Sequence, residues 1–387
     1  MARVLWLNWS GGGNLPPSLG IARVLSERGH AVSFAGRPEM VPRVERAGFR
    51  AIEFTRAYEQ AAAYPPNKWL PKAASYLTSP AMAEEIRALV DAERPDLVAI
   101  DAMFPAALIE AERFDCPSAV MLHTCVYRML EPWKKMLGLL ADLRAEAGFG
   151  PWPSSLDELW MRRDRLVVTT VKALDTPVGG LAHSEKVRHV GPVLEREPHM
   201  RPIALPWAQD ERPLVLVSFS TMPEQGSAAK FQKAIDALRE LPVYGVVTTG
   251  HSIDPGALKP ADNVAVFANA DHDQLMQRAS LVVTHGGHGT FMRALSYGLP
   301  MAIIPGLASD QPVHAASAQA WGAGLALPND ASAEAMRSAV ATILADPSYR
   351  AAAARLAKEL EGLDGASGAA NELEQLLPRA ARRSAVA

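Results

Sequence analysis

Apolar runs of strand length and amphipathic runs of helix length alternate along this chain, stop at a proline-punctuated stretch, and then begin again. In the first third, residues 4–7, 31–34, 49–54, 96–100 and 118–122 read as strands, with helices over 18–28, 40–47 and 106–113 between them. Leu19, Ala22 and Leu25 share one face of the first helix, and Gly29-His30 closes it. The order resumes with strands at 214–219, 243–248, 264–267, 281–284, 301–304 and 325–327. Helices over 228–240 and 273–279 and two Ala-rich helices near the end accompany them. Pro192, Pro198, Pro202, Pro206 and Pro213 mark the junction, which reads as an interdomain linker. Two starts of one α/β pattern predict two Rossmann-like domains, each a parallel sheet covered on both faces, facing a central cleft. Ligands in such domains bind at the carboxyl ends of the strands. The expected boundaries are 1–197 for an N-terminal domain, 198–212 for the linker, 213–378 for a C-terminal domain and 379–387 for a tail.

Between residues 124 and 181 the pattern loosens into helical and proline-rich pieces that carry Trp133, Trp152 and Trp160. Core packing and the aromatic wall of a pocket are the two readings of such a stretch. With 387 residues, 49% of them hydrophobic and 21% charged, the chain can fill two full cores. A net charge of −3 gives no footprint for nucleic acid. The apolar residues after Arg3 are too few for a signal peptide, and no run is long enough to span a bilayer. Cys116 and Cys125 form no metal pattern and are expected as buried, reduced thiols in a cytoplasm.

The most chemically specific segment is Thr284-His285-Gly286-Gly287-His288-Gly289-Thr290. It lies between the strand 281–284 and a helix expected over 291–297, closed by Gly298 and Pro300. A glycine-rich strand-to-helix turn lets backbone N–H groups and the positive helix end approach an anion. A diphosphate is the anion that such a turn suits.

This segment, with Ala294-Leu295, Gly298, Pro300, Pro305, Asp310-Gln311 and Gly322, resembles the donor-binding signature of family 1 glycosyltransferases of the GT-B fold. The likeness is to the bacterial macrolide and natural-product branch, and Arg28-Gly29-His30-Ala31-Val32 also looks like the family's opening. The resemblance implies that His285, Gly286, Gly287, Gly289 and Thr290 hold the diphosphate of a nucleotide-sugar. It implies that Asp310 and Gln311 bond the sugar hydroxyls, just before a helix expected over 312–320. An N-cap for that helix is the structural alternative for Asp310. Ser220 and Thr221 stand where the family has small hydroxyl residues near the diphosphate, and they could equally cap a helix. The implied chemistry is an inverting, metal-independent glycosyl transfer from a dTDP- or UDP-sugar to a hydrophobic small-molecule acceptor, with no cofactor.

Three positions depart from the family pattern. The opening Gly-His-x-x-Pro reads Gly13-Asn14-Leu15-Pro16-Pro17, so an amide occupies the place of the histidine base. An amide cannot serve as a general base near neutral pH. Asp101 and His123, at the exits of their strands, are the replacement candidates, with strand-end hydrogen bonding as the alternative; Glu110 and Glu112 are expected to be solvated. The aromatic that stacks on the nucleobase is replaced by Asn269, which leaves His272 or Phe267 to cover the base. The family's Thr-x-x-Glu-Ala-Leu reads Thr290-Phe291-Met292-Arg293-Ala294-Leu295. Arginine has no acceptor lone pair for a ribose diol, which favours a deoxyribose donor such as a dTDP-sugar.

Asp271-His272-Asp273 spells the Asp-x-Asp of metal-dependent transferases but precedes a helix and suits capping. His285 and His288 have metal-ligand spacing without an evident third ligand. Gly11-Gly12-Gly13 is followed by Pro16 and makes no dinucleotide fingerprint. Trp6, Trp9, Phe104, Met129 and Trp133 are the candidate walls of the acceptor pocket, with core packing as the rival for each. A non-catalytic sugar-nucleotide-binding accessory protein and a sugar-nucleotide epimerase are the alternative functions, and a homodimer is left open.

Overall fold

The computed structural model describes residues 1–9, 13–62, 69–146, 156–175, 184–194, 203–207, 211–219, 227–250, 253–306 and 310–378. The Trp133 side chain, Trp152, Ser220 and Thr221 lie outside that description. The chain divides into two compact units, Met1–Val193 with the segment that begins at Leu363, and Leu194–Gly362.

The described residues of the first unit carry a seven-stranded sheet. Its strands are β1 (Arg3–Leu7), β2 (Ala31–Gly36), β3 (Arg50–Glu53), β4 (Leu97–Asp101), β5 (Ser118–Leu122), β6 (Arg165–Val168) and β7 (Val187–His189). Their order is β3-β2-β1-β4-β5-β6-β7, every pairing parallel. The central strands β4 and β5 are buried along their whole length. Helices on both faces of a parallel sheet produce that pattern, and it explains why these runs are continuously apolar rather than alternating. The strands β6 and β7 fall in or after the stretch where the sequence pattern loosens. They are only four and three residues long, too short for periodicity to signal.

In the second unit the strands are β8 (Leu214–Ser218), β9 (Tyr244–Thr248), β10 (Val264–Phe267), β11 (Ala279–Thr284), β12 (Met301–Ile303) and β13 (Gly324–Ala326). They run β10-β9-β8-β11-β12-β13, again all parallel. Val215, Val217 and Phe219 from β8 and its exit, Leu281 and Val283 from β11, and Ala302 and Ile304 from β12 and its exit share one core. The helices Ala228–Arg239 and Ala333–Ala345 close that core through Phe231, Ile235, Leu238, Met336 and Val340.

The expected C-terminal domain extended to residue 378, but the helix Gly365–Glu374 packs in the first unit. Ala369, Ala370, Leu373 and Leu377 are buried in the core that also holds Val4, Trp6, Leu19 and Leu25. Glu374 accepts from Arg28 at 2.7 Å and lies 3.1 Å from His30 Nε2, and Arg165 pairs with Glu372. An Ala-rich helix carries no mark of which sheet it will cover, so local pattern assigned it to its sequence neighbours.

Two smaller expectations also change. Glu110 is buried rather than solvated, its carboxylate held by Arg87 at 2.9 Å and Arg113 at 2.7 Å. Glu112 is exposed and pairs with Arg162. Cys125 is buried and Cys116 half-buried, and burial pushes the Cys116 thiol up to about 11, which keeps it unreactive. No helix among the described residues is long and apolar enough to cross a membrane.

Candidate functional site

In the second unit β11 ends at Thr284, and the helix His288–Ser296 begins three residues ahead of the expected start. His285, Gly286 and Gly287 therefore make the whole turn. Gly286 adopts φ +84°, where a side chain is strained. A Cβ there would stand 2.9 Å from Ile303 Cγ2 and 3.2 Å from the Gln311 carbonyl oxygen. Gly287 is the N-cap and offers no side-chain cap, so the helix's first N–H groups keep their capacity for a ligand. A Cβ on Gly287 would strike the His285 ring at 2.5 Å, so the two glycines set backbone and imidazole together. His285 Nδ1 is buried with no hydrogen-bond partner among the described residues. Burial, and then the charge of Lys230, lowers the His285 pKa to about 4, so the ring is neutral at physiological pH. Gly289 is exposed with open space around it, and Thr290 is half-buried one residue further on.

The helix expected over 312–320 begins at Asp310 itself, so Asp310 lies in its first turn and is not a flanking cap. Burial raises the Asp310 pKa, while His288 and the backbone N–H groups of His288 and Gln311 pull it down. Gln311 is buried, and its Oε1 accepts the Gly306 N–H at 2.6 Å. Sequence reasoning gave Gln311 to the sugar; the structure gives its carbonyl oxygen to the loop before the helix. His314, fully buried, places Nδ1 2.7 Å from the Gly286 carbonyl and Nε2 3.5 Å from His288 Nδ1. It holds the cradle from behind and stacks on Phe291 at 4.5 Å. Neither His314 nor this use of His288 was foreseen, since a lone histidine in a helix gives no signal.

At the exit of β10, Asn269 is exposed and Phe267 half-buried. His272 Nε2 lies 3.0 Å from Thr248 Oγ1, and burial lowers its pKa to about 4. Asp271 caps the helix His272–Arg278 by accepting from the N–H groups of Asp273 and Gln274, as expected for that triplet. Asp273 is paired with Arg293 at 2.6 Å and accepts from the Tyr297 hydroxyl at 3.0 Å. The arginine that replaces the family's glutamate is therefore tied to the unit's own helix.

In the first unit β1, β4 and β5 deliver a second cluster at their carboxyl ends. Asp101 is 1% exposed, and it accepts from Asn14 Nδ2 at 2.8 Å and from the Met103 N–H at 2.9 Å. The Trp9 N–H also donates to it. Burial outweighs these donors and raises its pKa to about 6. Asn14 stands at the N-cap of the helix Leu15–Glu27, yet it makes no cap bond because its amide is turned to Asp101. His123 is buried, with Nε2 3.0 Å from Ser18 Oγ and Nδ1 3.3 Å from Thr169 Oγ1. Ser18 in turn donates to the Asn14 carbonyl and accepts from Asn8 Nδ2. The structure thus joins Asn14, Asp101 and His123 in one connected cluster through Ser18.

The expected acceptor walls fare differently. Trp6 is fully buried and stacks on Phe34 at 5.6 Å inside the core. Phe104 is fully buried against Tyr76 and Phe54, and Met129 is fully buried. All three are core residues: Trp6 lies on β1, where a strand covered on both faces buries apolar side chains whichever way they point, and Phe104 and Met129 stand just before helices and are enclosed by the packing. Trp9 is half-buried beside Asp101, and it is the one expected wall residue with a described side chain that keeps exposed surface. Trp160 is also core, its Nε1 donating to the Ala102 carbonyl at 3.0 Å.

Residues 233–376 match the erythromycin biosynthesis protein CIII-like C-terminal domain. The chain is 25% identical to the demethyllactenocin mycarosyltransferase of Streptomyces fradiae over 417 residues, 98% of this chain and 88% of that one. It is 27% identical to the 4'-demethylrebeccamycin synthase of Lentzea aerocolonigenes over 429 residues, 97% of this chain and all of the relative. The fold superposes on the calicheamicin glycosyltransferase CalG4 with a TM-score of 0.79 at 23% identity, covering 98% of this chain and 99% of that one. The second half of the chain carries that domain, the curated relatives that match it along its length are natural-product glycosyltransferases, and its fold is GT-B. Asn14, against Asp101, and Arg293, against Asp273, are two of the positions that depart from the pattern the sequence resembles.

Proposed function

We propose that this protein transfers a sugar from a nucleoside diphosphate donor, with inversion, to an apolar small-molecule acceptor. The observation that carries the reading is the turn of the second unit: a left-handed Gly286, an uncapped helix start at Gly287 and a buried His285 nitrogen with no described partner. As the glycosidic bond breaks, negative charge grows on the departing diphosphate. Fixed backbone N–H groups, a helix N-terminus and an imidazole N–H stabilise it without reorganising. Asp310, in the neighbouring helix start, would read sugar hydroxyls. Asp101 would accept the acceptor's proton: with a pKa of about 6 its carboxylate is largely ionised at neutral pH and basic enough to work. Asn14 is then a positioning residue that orients and stabilises that carboxylate. Arg293, spent on Asp273, presents no acceptor for a ribose diol, which favours thymidine over uridine diphosphate sugars.

The test is calorimetric titration of UDP, dTDP, GDP and NAD into the wild type and His285→Ala. We expect dTDP or UDP to bind in the micromolar range, with dTDP the tighter, and to weaken at least tenfold in the variant. Binding of none of the four, or equal binding by both proteins, would overturn the donor assignment.

A further inference from the structure

One lysine near the cradle is placed against ordinary helix electrostatics. Lys230 is the third residue of the helix Ala228–Arg239, at the end where the macrodipole repels a cation. It is half-buried, and its amine is turned inward across the carboxyl edge of the second sheet. Nζ donates to the Ile304 carbonyl at 2.9 Å and to Asn329 Oδ1 at 3.2 Å, and it lies 5.3 Å from the centre of the Phe219 ring. Ile304 directly follows β12 and Phe219 directly follows β8, the two strands that flank β11. His285 directly follows β11 between them. Alternation along β11 sends Leu281 and Val283 into the core under Lys230's helix, so His285 points to that same face.

Two basic side chains therefore meet at one sheet end. The titratable groups that act on them are basic, Lys233 on Lys230 and Lys230 and His314 on His285. An ammonium has three N–H groups, and the described acceptors take two of them. Beside it stands the buried His285 Nδ1 with no described partner. A partly desolvated cation with an N–H left over on that face is complementary to an anion.

We infer that Lys230 is a donor-binding residue that contacts the diphosphate, supplying the full positive charge that the backbone cradle lacks. This rests on the donor reading above. A structural role would be to tie the helix start to β12 through Ile304, and the two roles separate experimentally.

Lys230→Met and Lys230→Arg, with Lys230→Gln as a second neutral variant, are titrated with dTDP, UDP, thymidine and uridine, and their thermal midpoints are recorded. A charged contact to phosphate predicts a roughly 10–100-fold loss of diphosphate affinity in the Met and Gln variants. Nucleoside affinity stays unchanged, Arg recovers most of the loss, and the difference between wild type and Met shrinks with added salt. Diphosphate affinity equal to wild type in the Met and Gln variants overturns the inference. So does a parallel loss for nucleoside and diphosphate, which marks a structural tie. A wild type that binds neither nucleoside diphosphate overturns the donor reading and this inference together, a result distinct from the other two.

Discussion

Asp101 illustrates how far a single buried group is set by its surroundings. Three hydrogen-bond donors hold it, yet burial still raises it from an ordinary 3.8 to about 6. The sign matters for both rate and stability. The folded protein holds this proton more tightly than the unfolded chain, so this group works against stability as pH rises from about 4 to 6. As the proposed base it would work only above that range. Transfer should therefore fall below about pH 6 with a slope of one proton, read from kcat/KM against pH. Asp101→Asn should lower kcat by about 10²–10⁴-fold and remove that limb. Asn14→Ala deletes a donor to the ionised form, so the limb should move to higher pH. An unmoved limb in Asn14→Ala would assign the titration to another group, with His123 the next to test. The sequence showed that Asn14 could not be the base, but a residue's replacement partner is a matter of tertiary proximity. Eighty-seven positions separate Asn14 from Asp101.

At the scale of one element, the turn from β11 into the helix His288–Ser296 was the most legible part of the chain. Its glycines carry their reason in their geometry: only Gly286 accepts φ +84° this close to Ile303 and Gln311. Gly286→Ala should cost about 1–3 kcal/mol of stability in denaturant unfolding and weaken diphosphate binding, because the turn must shift to clear the new methyl. A variant with wild-type stability and wild-type dTDP affinity would show that the turn tolerates the shift. The supports of this turn were not legible. Gln311 and His314 belong to the following helix, and they act on Gly306 and on the Gly286 carbonyl. A side chain that satisfies a backbone group on another element leaves no periodicity to read.

For the whole molecule, the last helix is the informative case. It follows the second unit in sequence and completes the core of the first. Leu373 is fully buried there, so Leu373→Ala should destabilise by about 2–5 kcal/mol. Hydrogen exchange followed by mass spectrometry locates the damage: amides of β1 and of the helix Leu15–Glu27 should exchange faster, and those of β11 should not. Faster exchange confined to β11 and β12 would return the helix to the second unit. The helices Leu15–Glu27 and Gly365–Glu374 therefore cover one sheet together.

The sequence by itself determined the two parallel α/β units and the glycine turn from β11 into its helix, because strand and helix periods and glycine backbone freedom are local properties. It also named Asn14, Asn269 and Arg293 as departures and Asp101 as a replacement base, since the chemistry of a side chain is legible without a structure. Tertiary structure alone decided that Trp6, Phe104 and Met129 are core, that Arg293 is spent on Asp273, and that Lys230 and His285 share a sheet end. Those facts depend on which surfaces meet after folding, and burial and pairing between distant residues are fixed by packing rather than by any local pattern.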